Sequence, residues 1–186
     1  MKLIQKGNSK LHNMYMFNLP ATHAICNRIC PGCYAIKEQN RFPIVIEARN
    51  KRLEASKQED FASTVISEIN SLRTKPLYFR IHASGEFYSQ SYIDSWHTIA
   101  SSFPSITFYA YTKRLAHFDF SSLSALPNFV LINSLHFRGL NYGPASSAPT
   151  DAFICPSHSG ATCGDSCTWC QTKGQADVKG VWFIKH

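Results

Sequence analysis

The alternation of apolar and polar positions predicts strands and helices in turn along most of this chain. Residues 13–19 (NMYMFNL) are apolar and aromatic and read as a first strand. A cysteine-rich loop follows at 22–34. Residues 35–72 read as helix interrupted near Pro43, with Ile66, Ile69 and Leu72 recurring at helical spacing. Residues 76–83 (PLYFRIHA) predict a second strand, opened by a proline and closed by Ser-Gly. Residues 89–101 read as helix, with Ser89 as N-cap and Tyr92, Trp96 and Ile99 on one face. A third strand is expected at 105–112 (SITFYAYT), a short helical or looped stretch at 119–126, and a fourth strand at 128–134 (NFVLINS). Strands separated by helices argue for an α/β fold with a parallel sheet and helical crossovers.

The pattern changes after residue 136. The run FRGLNYGPASSAPT reads as a long loop, and a last strand is expected in VKGVWFIKH. Short strands near 151–154 and 179–184 would then complete a smaller sheet. The expected organisation is an α/β core at 1–136 and, at 137–186, a loop and a cysteine-rich metal-binding segment with a last strand. No apolar run is long enough to span a bilayer, and MKLIQKGNSKLHNM lacks the apolar centre of a signal peptide. A cytoplasmic, reducing compartment without membrane attachment is the expectation, which favours the seven cysteines as metal ligands over disulfides. The net charge of +7 serves solubility or a polyanionic partner. Basic residues are densest at Arg49, Lys51, Arg52 and Lys57, but no nucleic-acid-binding motif accompanies them.

The cysteines fall into two groups. Cys26, Cys30 and Cys33 are spaced C-x3-C-x2-C in the loop after the first strand. Three thiolates leave one iron of a four-iron cluster without a protein ligand, open to substrate or cofactor. Zinc, with His23 as fourth ligand, is the alternative. Cys155, Cys163, Cys167 and Cys170 supply four ligands within sixteen residues, enough for a structural zinc or a fully ligated four-iron cluster, with His158 as an alternative ligand. The last three repeat the C-x3-C-x2-C spacing, but no βα units follow them to build a sheet around that loop. Strand ends in a parallel sheet are where ligands bind. Simple alternation puts Arg80, His82 and Ser84 on one face of the second strand and Tyr109, Tyr111 and Lys113 on one face of the third; Asn133 ends the fourth, with His136 just beyond.

The first cysteine loop resembles that of the radical S-adenosylmethionine (radical SAM) enzymes, which carry this spacing after the first strand of a (β/α) partial barrel. Gly32 stands where that family usually has an aromatic, and Tyr34 supplies one just after Cys33. Ser84-Gly85-Glu86, at the end of the second strand, is similar to that family's Gly-Gly-Glu motif, which holds the cofactor's amino group. The resemblance implies a truncated (β/α) partial barrel and two [4Fe-4S] clusters, the second with zinc as an alternative. It implies S-adenosylmethionine near Tyr34, Ser84, Gly85 and Glu86, with Lys113 or Asn133 meeting its carboxylate or ribose. His82, Lys113 and His136 become the catalytic candidates, and an electron donor such as a flavodoxin or ferredoxin becomes a partner. The implied chemistry is reductive cleavage of the cofactor to start radical chemistry on an unidentified substrate. The runs FNLPA, CPGCYA, HASGEFYSQSYIDSW and FYAYTK, with the C-terminal cysteines, also resemble the phage gene-product-88-like family, which implies no particular reaction. Two other functions fit the same residues: a zinc protein that binds nucleic acid, and an iron–sulfur electron-transfer or sensor protein without cofactor cleavage.

Overall fold

The computed structural model describes residues 2–27, 30, 33–136, 139–140, 142–175, 177 and 180–184, with backbone alone at 135–136, 139–140 and 142. It opens with a short strand, β1 (Gln5–Lys6), paired antiparallel with β2 (Met14–Phe17). Sequence periodicity did not reveal β1, because two residues are too few to show a period. The expected cysteine loop contains one helical turn, α1 (His23–Cys26), whose first amides are capped by the Thr22 side chain accepting from Ile25 N–H. The long expected helix is three: α2 (Tyr34–Arg41), α3 (Pro43–Ser56) and α4 (Phe61–Asn70). Pro43 begins α3, where its missing N–H costs nothing.

The remainder of the main sheet follows the expected order. It runs β3 (Tyr78–Ile81), α5 (Gln90–Ser101), β4 (Thr107–Thr112), α6 (Ser121–Ala125) and β5 (Phe129–Asn133). The Ser89 hydroxyl accepts from Tyr92 N–H and caps α5. The sheet order is β1-β2-β3-β4-β5, and β2 to β5 are all parallel, so the protein is mixed α/β with a mostly parallel sheet. Strand order equals chain order, as right-handed crossovers favour, and α4, α5 and α6 pack on one side. Phe17, Phe79, Ile81 and Phe108 on that face are buried against Val65 and Ile69 of α4 and Trp96 of α5. Among the described residues the sheet is open; it does not close into a barrel.

The other face is covered by the C-terminal segment. Across it runs one registered row, Met16, Arg80, Tyr109 and Val130. Buried Cys155, Cys170 and Val181 pack there against Met14, Tyr109, Val130 and Ile132. The segment begins with a backbone pair, β6 (Leu135–His136) and β7 (Gly139–Leu140). It then forms a small parallel sheet from β8 (Tyr142–Gly143), β9 (Phe153–Ile154) and β10 (Val181–Ile184), with β10 central. The expected loop thus carries short strands, while β9 and β10 fall where strands were expected. No helix among the described residues is long and apolar enough to cross a membrane.

Candidate metal and cofactor site

The first cysteine group is held by a clamp at the neck of its loop. Buried Gln39 of α2 donates through Nε2 to the Ala21 carbonyl and accepts from Ala21 N–H through Oε1. This ties the end of the loop to its beginning. Arg49 of α3 reinforces it by donating to the Ala35 carbonyl and pairing with Glu38. Cys26 ends α1, followed by Asn27 in the left-handed region, and Cys33 N–H donates to the Cys30 carbonyl in a turn. Burial, and next the nearby Glu86 carboxylate, push the Cys26 thiol up to about 11; Cys33 and Cys30 act in the same direction. The three thiols and Glu86 therefore share one electrostatic neighbourhood. His23 is exposed, and Gly32 lies outside the described residues.

The Ser84-Gly85-Glu86 turn is built into that neighbourhood. Asn18 Oδ1 accepts from Ala83 N–H and Ser84 N–H, while Ser84 Oγ donates to the Leu19 carbonyl. Gly85 has φ +90°, and a Cβ there would lie 2.5 Å from Leu19 Cβ. Only glycine fits, and what it lets approach is Leu19. Glu86 is buried; its Oε1 accepts from Phe87 N–H and Thr112 Oγ1, and its Oε2 accepts from Lys113 N–H at 2.8 Å. Burial raises its pKa and these three bonds oppose the rise. Tyr34 leans across, its hydroxyl donating to the Ala83 carbonyl.

The other expected site residues are placed less uniformly. His82 does not follow Arg80 onto the second face. The ladder ends at Ile81, His82 takes φ +64°, and its ring packs on Phe87 and Tyr92 in the helix-side core, with Nε2 2.9 Å from the Tyr92 hydroxyl. Burial first, then the Arg80 charge, push His82 down to about 3. Lys113 follows β4 and engages Glu86 through its backbone; Asn133 ends β5 and is exposed. The side chain of His136 lies outside the described residues.

The second cysteine group lines a cavity of about 330 Å³ between the sheet and the C-terminal segment, together with Arg80 and Tyr34. Cys163 and Cys167 form a backbone bridge, and Leu11 bridges to Cys163. Cys170 accepts a 2.8 Å bond from the Tyr111 hydroxyl, yet burial dominates and pushes its thiol up to about 12. Cys163 is also raised, chiefly by burial. His158 turns its Nδ1–H to the Cys155 carbonyl. Among the described residues, no three His, Cys, Asp or Glu side chains are already gathered closely enough to hold a metal ion. The donors fit a thiolate-bound group in kind: four thiols face one cavity and three more share one loop. A bound cation would supply the positive charge that these raised thiols lack. Asn18, Gln39 and Gln171 were not legible as site residues, since isolated Asn and Gln side chains carry no spacing signal.

The fold and site define a mixed α/β protein with one cysteine group in the loop after β2 and a second lining a cavity on its parallel sheet. A family model described as "Gene product 88" matches residues 2–143, and the chain belongs to that family. It is 29% identical over 106 residues to the "Gene 88 protein" of Mycobacterium phage L5 and, to the same extent, to that of Mycobacterium phage D29. Each match covers 52% of this chain and 43% of the relative, so it spans less than half the length of those phage proteins. No solved structure matches this chain.

Proposed function

We propose that the chain is a small iron–sulfur enzyme of radical SAM type, with a truncated (β/α) partial barrel as its scaffold. The observation that carries this reading is that the end of the cysteine loop reaches the Ser84-Gly85-Glu86 turn, with Tyr34, next to Cys33, donating to the Ala83 carbonyl and Glu86 acting on the Cys26 thiol. In this reading the three thiolates would hold a four-iron cluster, and Glu86 and its neighbours would hold S-adenosylmethionine beside it. Bound there, the reduced cluster would supply the electron that cleaves the cofactor's sulfonium. Glu86 keeps its carboxylate fixed by three donors, and a carboxylate has about four acceptor positions, which leaves one for the cofactor's ammonium. Gln39 and Arg49 hold the loop in place, and the helix-side core excludes water behind it. The C-terminal cysteines hold a second cluster or a zinc against the other sheet face. Lys113 and Asn133, at successive strand ends, are the residues that would meet the cofactor's carboxylate or ribose.

The test is anaerobic reconstitution, reduction with dithionite, and measurement of cofactor binding and cleavage. The wild-type chain is expected to release methionine. Glu86→Gln keeps an oxygen for Thr112 and Phe87 but removes the charge, and should weaken cofactor affinity about tenfold or more with iron content unchanged. Reconstituted protein that holds iron yet neither binds nor cleaves S-adenosylmethionine contradicts the reading.

A further inference from the structure

The densest run of basic residues in the sequence is not where the uncommitted cations lie. Arg49 pairs with Glu38, Lys51 with Glu47 and Lys57 with Glu54. Arg52 is buried, and its Nε donates to the Leu3 carbonyl. Carboxylates are missing instead from two other stretches. None occurs before Glu38, and none between Glu68 and Glu86. The fold brings these stretches together, because β2 pairs in parallel with β3.

They meet in a cleft of about 750 Å³ at the starting ends of β2 and β3, away from the Ser84-Gly85-Glu86 turn that follows β3. The N-terminal hairpin contributes Lys6 and His12, and the approach to β3 contributes Arg73 and Lys75; all four are exposed. No Asp or Glu is among the described residues that line the cleft. Lys6 and Arg73 enter no ion pair among the described residues. Lys75 Nζ donates to the Asn70 and Leu72 carbonyls, and His12 Nε2 donates to the Ser9 carbonyl. Exposed Leu77 and half-buried Tyr15 supply apolar surface in the same cleft. The hairpin is fixed from behind, since Cys163 N–H donates to the Lys10 carbonyl and His12 N–H to the Cys163 carbonyl. Cations gathered without carboxylates repel one another, and a polyanion relieves that repulsion.

We propose that this cleft binds single-stranded nucleic acid, with phosphates at Lys6 and Arg73 and bases against Tyr15 and Leu77. A single strand offers a charge and a flat face at every unit, whereas a duplex keeps its bases stacked inside. The proposal rests on the cleft and needs no iron or cofactor chemistry at either cysteine group.

The test is fluorescence anisotropy of a labelled oligothymidylate of about 16 nucleotides, titrated with the full chain of measured metal content over a range of salt. Binding should saturate and weaken as salt rises. The double variant Lys6→Gln, Arg73→Gln should bind about tenfold or more weakly, with its log–log salt slope shallower by about 1.4 and its unfolding midpoint unchanged. Leu77→Ser should weaken binding and leave the slope as it is. Lys51→Gln with Lys57→Gln, which removes the same charge from α3, should leave affinity and slope near wild type. The proposal is overturned by no saturable binding, or by binding that the Lys6 and Arg73 changes leave intact. It is equally overturned if the α3 variant loses as much, since net charge alone would then account for binding. Duplex DNA binding as tightly as the single strand, or polyglutamate competing as well as the unlabelled strand, would assign the cleft to another partner and also overturns it. Should the double variant fail to fold, each single change must make the slope shallower by about 0.7; an unchanged slope contradicts the proposal.

Discussion

Two residues at the end of β3 show how local backbone geometry decides what a side chain can do. Gly85 at φ +90° sits against the Leu19 backbone, with Leu19 Cα and carbonyl carbon 3.0 Å from a virtual Cβ. Backbone cannot rotate away as a side chain can. Gly85→Ala is therefore expected to cost about 2 kcal/mol or more, read as a lowered denaturation midpoint. His82, held neutral by burial, has its pKa pushed down to about 3 against about 6.5 for an unfolded chain. The unfolded state thus binds the proton first. The contribution of His82 is fully present above about pH 6.5 and is lost as pH falls from there toward about 3, at roughly 1.4 kcal/mol per pH unit. His82→Asn, which tolerates the left-handed backbone, should flatten the stability–pH slope in that window. An equal slope in both proteins would show that His82 does not titrate as its burial requires. Residue type and motif made Glu86 legible as a strand-end carboxylate. The turning of His82 into the core was not legible, because alternation says nothing about where a ladder ends.

The elements were legible where apolar positions recur over several residues. Trp96 and Ile99 mark the buried face of α5, and the runs through Phe79, Phe108 and Phe129 mark β3, β4 and β5. Signals shorter than a period failed, as with β1 and β8, which are two residues each. The helical reading of 35–72 held in type but not in continuity. Pro43 was the visible break, whereas the turn at 57–60 between α3 and α4 carries no proline or glycine to announce it. Ser89 was recognisable as a cap because serine in front of an apolar helical face has that use. Its hydroxyl accepts from Tyr92 N–H at 3.2 Å. Ser89→Ala is expected to destabilise the protein by about 1 kcal/mol in urea melts, while Ser91→Ala, at an exposed position, should cost less.

At the scale of the molecule, a sheet with α4, α5 and α6 packed on one side leaves a second face to cover. The C-terminal segment covers it and brings the second cysteine group over Tyr109 and Ile132. Sequence order could not show this, since the contacts join residues distant along the chain, as in Leu11 with Cys163. A chain ending at residue 144 should expose Met14, Tyr109, Val130 and Ile132, bind a hydrophobic dye and self-associate in sedimentation. A soluble, dye-silent fragment would mean that the segment is not needed to cover that face.

The central claim is that two groups of thiols hold two metal centres, at least the first of them iron–sulfur. Anaerobic purification or reconstitution followed by metal analysis and a visible absorption spectrum tests it most directly. The account predicts brown protein with about eight irons per chain, or about four irons and one zinc if the C-terminal site is structural. Cys26→Ala should remove the first set without the second. Colourless protein that carries only zinc, or no metal, after reconstitution would contradict it.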